Sequence, residues 1–106
     1  MIITPAASIA GYRVVKTLGI VRGNTIRARN LGRDILAILK NIIGGEIEEY
    51  TKLMGESRDQ ALDRMAANAT ELGANAITDA KFMTSYIMGA ASEILAYGNA
   101  VVVEPE

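Results

Sequence analysis

The feature that most constrains the fold of this chain is a long apolar repeat between residues 47 and 72. Its positions follow spacings of three and four and are Ile47, Tyr50, Met54, Arg58, Ala61, Met65, Ala69 and Leu72. Such spacing places side chains on one face of a helix. The repeat therefore predicts a helix from Glu46 to Leu72, which Gly73 would end in a left-handed conformation.

The helical repeat keeps its register across Gly55, which two separate helices need not do. Ser57 and Gln60 have the spacing of a capping box and could also start a new helix. We expect the helix to continue, at a cost of about 1 kcal/mol for Gly relative to Ala. With 106 residues, the chain has room for a single domain (1–106) and one modest core.

The remaining elements follow from shorter patterns. A first helix is predicted from Asn30 to about Ile43, because apolar residues recur there at helical spacing before Gly44 and Gly45. The predicted strands are Tyr12–Arg22, Thr25–Ala28, Ala76–Met83 and Glu93–Val103. Gly19 marks a bulge or a close backbone contact, and Gly23-Asn24 a turn. This order, β(β)ααββ, indicates an α+β fold.

The absence of Cys and His limits the chemistry of this chain. Without Cys it cannot form disulfides, thiolate metal sites or thiol nucleophiles. Without His it lacks the commonest general base and transition-metal ligand. The residue supply therefore predicts no specific site for zinc, cadmium or copper(II).

The distribution of charge and hydropathy suggests the partners and the localisation of the protein. Residues 1–45 carry seven basic residues and one acidic residue, whereas residues 46–106 carry four basic and eleven acidic residues. Such segregation suggests complementary faces, for subunit contact or for an anionic ligand. No signal peptide is evident and no apolar run approaches the roughly 20 residues of a membrane span, so a cytoplasmic protein without a membrane partner is expected.

Charged residues supply the first candidate sites. Arg58 interrupts the apolar repeat, so it must form an ion pair, for instance with Asp34, reach a subunit interface, or bind a ligand. A basic strip runs from Arg22 to Arg33 and predicts a solvent- or subunit-facing surface. A nucleotide contact is the alternative. Nucleic acid is not the expected partner, because no phosphate loop or aromatic cluster is present.

Oxygen and sulfur ligands supply weaker candidates. Glu46 and Glu49 share a predicted helix face and could bind a hard cation, but compensation of the helix dipole is the preferred explanation. The thioethers of Met54 and Met65 could bind copper(I), but their place in the apolar repeat predicts core packing. Tyr50 could bring a hydroxyl group to a pocket.

Landmarks in order along the chain resemble the YbjQ-like family. They are Leu18–Gly23, Arg33-Asp34, Ile43–Gly45, Tyr50, Arg58, Ala61, Leu72–Ile77 and Ser92–Val101. The resemblance spans about Gly11 to Val103, with Gly98-Asn99 where the family usually has glycine then threonine. It implies an α+β fold with an antiparallel sheet packed with two helices, one of them long. It also implies a ring-shaped homopentamer and a heavy-metal-binding label without established activity.

Three functional hypotheses follow from this sequence. The first is a homo-oligomeric binding or scaffolding protein without enzymatic activity, whose ligand is unknown and which has no predicted cofactor. The second is the metal-handling protein that the family label implies. The third is an enzyme that uses carboxylate, Tyr or Lys chemistry. Ligand or interface candidates are Arg33, Asp34, Tyr50 and Arg58, and no catalytic residue is predicted.

Overall fold

The computed structural model describes residues 1–26, 47–87 and 90–106. The elements in chain order are β1 (Ile2–Ile3), β2 (Tyr12–Ile26), α1 (Ile47–Glu71), β3 (Ala76–Ile87) and β4 (Ala90–Pro105). The strands form one four-stranded sheet in the order β1-β3-β4-β2, and α1 packs on one of its faces. The predicted α+β fold is confirmed, and strands β3 and β4 are both longer than predicted.

The sheet is mixed rather than antiparallel. Strand β4 pairs antiparallel with β2 and with β3, whereas β1 pairs parallel with β3 through Ile2 opposite Ala76 and Ile3 opposite Ile77. The expectation of an antiparallel sheet is therefore wrong at β1. A strand of two residues is too short to show the alternation that identifies strands in a sequence. The predicted helix over Asn30–Ile43 lies outside the described residues.

Strand β2 runs without interruption through Gly23 and Asn24, so the predicted turn at this dipeptide is wrong. Gly23 instead allows the helix to approach the sheet. A Cβ atom at Gly23 would overlap the backbone of Ala61 and Met65 in α1. Gly19 does lie at a bulge, as predicted, with φ +116° and a register shift between Thr17 and Gly19.

Helix α1 is continuous through Gly55, as the apolar repeat predicts. Gly73, with φ +93°, follows its C-terminus, also as predicted. The Gly73 N–H donates to the Thr70 carbonyl and the Ala74 N–H donates to the Ala69 carbonyl, each at 3.0 Å, which is the Schellman arrangement. In the part of the chain that the structure describes, no helix combines the length and apolarity needed to cross a bilayer.

Two apolar clusters lie on opposite faces of the sheet. The larger one lies beneath α1 and contains Val21, Met54, Ala61, Met65, Ala69, Ala74, Ile77, Ile94, Ala96 and Ala100. The smaller one, formed by Ala76, Val101 and Val103, is covered by Ile2 and Ile9 of the N-terminal segment. The N-terminal segment therefore covers only one end of the face that α1 leaves open.

Side-chain hydrogen bonds fix α1 along strand β2. Asn68 Nδ2 donates to the carbonyl of Arg22 at 2.7 Å, and Arg64 Nη1 donates to the carbonyl of Asn24 at 2.6 Å. Two outward-pointing carbonyl groups of the β2 edge are thus satisfied by the helix instead of by another strand.

Candidate functional site

Of the residues predicted to form a site, Arg58 alone has a described side chain. Arg33, Asp34 and Glu46 lie outside the described residues. Glu49 and Tyr50 lie in the first turns of α1, where only the backbone is described. Their roles as ligand or interface residues therefore stay predictions.

Arg58 does not occupy the buried face of α1, so its predicted place in the apolar seam is wrong. The buried positions of α1 in this region are Met54, Ser57, Ala61, Met65 and Ala69, whereas Arg58 is exposed. One residue turns a helix by about 100°, so a shift of one position moves Arg58 off the packed face. Its exposure leaves the guanidinium group accessible to a partner or a ligand. The suggested ion pair with Asp34 involves a residue outside the described ranges.

Ser57 instead brings a hydroxyl group into the interface between helix and sheet. Its side chain has an exposed fraction of 1%, and its Oγ atom has no hydrogen-bond partner among the described residues. Thr25 Oγ1 donates to the Ser57 carbonyl at 3.1 Å, which fixes the helix over β2 without using the Ser57 hydroxyl. Buried hydroxyl groups usually have a partner, so Ser57 is an unusual feature of this core.

The sheet face opposite α1, which we call the open face, carries basic, acidic, amide, aromatic and apolar side chains. Beyond the end covered by the N-terminal segment, its residues include Ile20, Arg22, Asn24, Lys81, Met83, Glu93, Leu95, Tyr97 and Asn99. Arg22, Tyr97 and Lys81 stand in one row across β2, β4 and β3. Cross-strand neighbours in such a row have Cβ atoms about 5 Å apart. The row therefore places one ring between two cations.

The carboxylates near the open face are hydrogen-bonded to amide groups rather than to these cations. Asn24 Nδ2 donates to Glu93 Oε2 at 3.3 Å, and Asn99 Nδ2 donates to Asp79 Oδ2 at 3.0 Å. The ion pair that the described residues do form, Arg13 with Glu104 at 3.2 Å, is exposed and lies at the far end of the sheet. Arg22 and Lys81 are exposed and make no ion pair with any described residue.

Asp79 adds a strained backbone position beside the open face. Its φ of +53° is unusual for a residue other than Gly and falls at an irregularity in the pairing of β3 with β4. The N-terminal segment holds it in place, because the N–H groups of Asp79 and Ala80 donate to the carbonyls of Ala6 and Thr4 at 3.0 Å. Its carboxylate accepts the hydrogen bond from Asn99.

Comparison with known proteins identifies the family of this chain. A family model described as "Putative heavy-metal-binding" matches residues 1–104. The chain belongs to the YbjQ family.

Within the YbjQ family, this chain is similar to proteins of bacteria and archaea. A UPF0145 protein of Dehalococcoides mccartyi strain BAV1 is 55% identical over 104 residues, which cover 98% of this chain and 100% of that protein. A UPF0145 protein of Pyrococcus abyssi is 53% identical over 106 residues, covering 100% and 93%. One from Methanoculleus marisnigri is 50% identical over 105 residues, covering 99% and 98%.

A solved structure supports the fold. It is the crystal structure of a Pediococcus pentosaceus protein of unknown function, which matches 100% of this chain and 98% of its own with a TM-score of 0.51. The two sequences are only 18% identical, so the likeness concerns the fold alone.

The donors of this chain do not fit the metals in the family description. Heavy metals such as cadmium prefer thiolate or imidazole ligands, and the sequence contains neither Cys nor His. Across residues 1–26, 47–87 and 90–106, no three acidic residues gather as a cation site would require. Met54 and Met65 are buried in the core, as predicted, so their sulfur atoms fill space beneath α1.

The open face was missed in the sequence analysis, although a signal for it exists. Along β4, the buried residues Ile94, Ala96 and Ala100 alternate with partly exposed Leu95, Tyr97 and Asn99. Reading that alternation would have placed Tyr97 on the face away from the helix. The partners of Tyr97 in β2 and β3 depend on the strand order, which the sequence does not contain.

Proposed function

We propose that the protein is a homo-oligomeric binding or scaffolding protein without enzymatic activity, whose copies join head to tail into a ring of five. The number five comes from the resemblance to YbjQ proteins. The observation that carries the proposal is a pair of different sheet edges, on opposite sides of the sheet, which have no strand partner among the described residues.

The first edge belongs to β2. Among the described strands its neighbour is β4, and the described hydrogen bonds from α1 reach its outward carbonyls at Arg22 and Asn24. From Tyr12 to Val21 the outer edge meets no described strand, and Val14 and Val15 are exposed there. Unpaired edges readily add a strand from another chain.

The second edge belongs to β3. Strand β1 pairs with Ala76 and Ile77 only, and the N-terminal segment continues the contact as far as Ala80. Lys81–Ile87 therefore has no strand partner on that side among the described strands, and Phe82 and Met83 are exposed. Contacts between two different patches are heterologous, and a heterologous contact closes into a ring when its rotation permits.

The dimensions of the chain support assembly. A compact chain of 106 residues has a radius of gyration of about 13 Å, whereas the Cα radius of gyration here is 16.6 Å, with extents of 54 × 23 × 16 Å. Strands of 15 and 16 residues are long for a single helix to cover. Exposed apolar ends of such strands are typical of subunit interfaces.

Native mass spectrometry of protein purified without chelators tests the proposal. We expect a species of five times the 11.3 kDa chain mass, retained on dilution to micromolar concentration. The same spectrum would show any ligand that stays bound. A stable monomer in sedimentation velocity at that concentration would contradict the proposal.

A matched pair of variants at Ile20 tests the β2 edge. The N–H and C=O groups of one residue point to the same side of an antiparallel strand, and the side changes from each residue to the next. Because the Arg22 carbonyl points outward to Asn68, the Ile20 N–H also points outward. Ile20→Pro removes this donor without breaking a bond to β4, so we expect the oligomer to weaken. Ile20→Thr keeps the N–H and should leave the oligomer intact.

A further inference from the structure

We propose that the row Arg22–Tyr97–Lys81 on the open face binds a small organic anion that carries a planar ring, the chemistry of a mononucleotide. The proposal goes beyond assembly, because all three residues come from one chain. It rests on the register of these three residues, on the exposed apolar residues around them and on the two cations, which form no ion pair with any described residue.

The placement of two cations on either side of Tyr97 favours an anion in this row. Arg22 and Lys81 flank Tyr97 in register, so their Cα atoms are roughly 10 Å apart, twice the spacing between strands. Both side chains are long enough to direct their charges toward the space above the ring. The two carboxylates nearby, Glu93 and Asp79, accept hydrogen bonds from Asn24 and Asn99 and form no ion pair with Arg22 or Lys81 in the described structure.

The apolar surroundings favour a planar ring beside that anion. Tyr97 is partly exposed between the two cations, and Ile20 and Met83, in the neighbouring rows, have exposed fractions of 78% and 60%. A flat ring stacked on Tyr97 would cover apolar surface on both sides, and the Tyr97 hydroxyl could donate a hydrogen bond. Arg recognises phosphate and carboxylate groups through paired N–H donors, whereas Lys supplies a point charge.

The strained backbone at Asp79 contributes to the same surface. The N-terminal segment binds the Asp79 backbone, and the Asn99 amide binds its carboxylate one row away from Lys81. An Asp79 carboxylate that turned toward Lys81 would neutralise one of the two cations. Strained positions of this kind are concentrated at functional sites.

Isothermal titration calorimetry with adenosine 5′-monophosphate tests the site on the assembled protein. We expect saturable binding that weakens with added salt, because both charges are exposed. Adenosine lacks the anion and inorganic phosphate lacks the ring, so each should bind at least about tenfold more weakly.

Variants assign the binding to the row. Arg22→Gln and Lys81→Gln should each weaken binding about tenfold, the loss expected for one charge-assisted hydrogen bond. Tyr97→Leu should remove the preference for the nucleotide over inorganic phosphate. Lys16→Gln makes the same charge change on the other face of the sheet and should leave the affinity unchanged.

Three outcomes would overturn the proposal: no binding at millimolar nucleotide, binding that the three row variants leave unchanged, or an equal loss with Lys16→Gln. A ten-residue single-stranded oligonucleotide that binds far more tightly than the mononucleotide would assign the surface to nucleic acid and also overturn it. Sedimentation of the same samples distinguishes a failure of this proposal from a failure of the proposed pentamer. A pentamer that does not bind the nucleotide would contradict the binding site alone.

Discussion

The buried Ser57 hydroxyl is the residue where the energetics of this chain can be tested most directly. A buried hydroxyl without a partner costs about 1–3 kcal/mol, and Ala is also the better helix former. We expect Ser57→Ala to raise the free energy of unfolding by about 1 kcal/mol. Urea unfolding followed by circular dichroism at one protein concentration measures this change.

Ala67→Ser supplies the control for helix propensity, because Ala67 is exposed in the same helix. It should lower stability by only about 0.5 kcal/mol. A clear loss of stability in Ser57→Ala would contradict the expectation and would mean that the hydroxyl is hydrogen-bonded in the assembled protein.

Ser57 also shows why α1 could be located from the sequence while two positions predicted for its buried face, Arg58 and Leu72, are exposed. Apolar residues at 54, 61, 65 and 69 define the helix, but both Ser57 and Arg58 are compatible with their spacing. The pattern favoured Arg58 as a candidate site, because a charged residue in an apolar seam needs a partner, whereas a serine there does not indicate a site. The burial of Ser57 and the exposure of Arg58 show which residue faces the sheet.

Glycine has opposite roles in two elements of this fold. At Gly55 an added Cβ atom would meet nothing within 4 Å, so Gly55→Ala should stabilise the protein by about 1 kcal/mol through helix propensity. At Gly23 it would overlap the backbone of α1, so Gly23→Ala should cost several kcal/mol or prevent folding. Thermal unfolding of the two variants side by side tests the pair, and similar melting temperatures would refute it.

The contrast between these two glycines shows which features of the helices and strands can be predicted from local sequence. Gly55 lies inside a periodic pattern, so local sequence is sufficient, and the same holds for Gly73 at the helix end. Gly23 next to Asn24 has the composition of a turn, and its real role depends on α1, more than thirty residues later. The two-residue β1 likewise exists only through its pairing with β3.

For the whole molecule, ligand supply predicts that zinc and cadmium do not bind specifically. Calorimetry with each ion should show no stoichiometric binding at sub-micromolar concentration, because the chain has neither thiolate nor imidazole. A symmetric ring is an arrangement that could still bind a metal ion, since it could place copies of Glu46 or Glu49 around its axis. Tight binding abolished by Glu49→Gln or Glu46→Gln, and kept in an exposed control such as Glu71→Gln, would establish the metal function instead.

The pairing of β2 with β4 has a consequence for the synthesis of the chain. Tyr12 lies opposite Pro105, so β2 is synthesised early but cannot pair with its antiparallel neighbour until β4 has been synthesised. During translation, fifteen residues of β2 are therefore exposed on the ribosome with both edges open, a state prone to aggregation. Contacts this distant along the chain also slow folding. Chains released before residue 90 lack β4 altogether, and we expect them to be cleared or to precipitate rather than to persist.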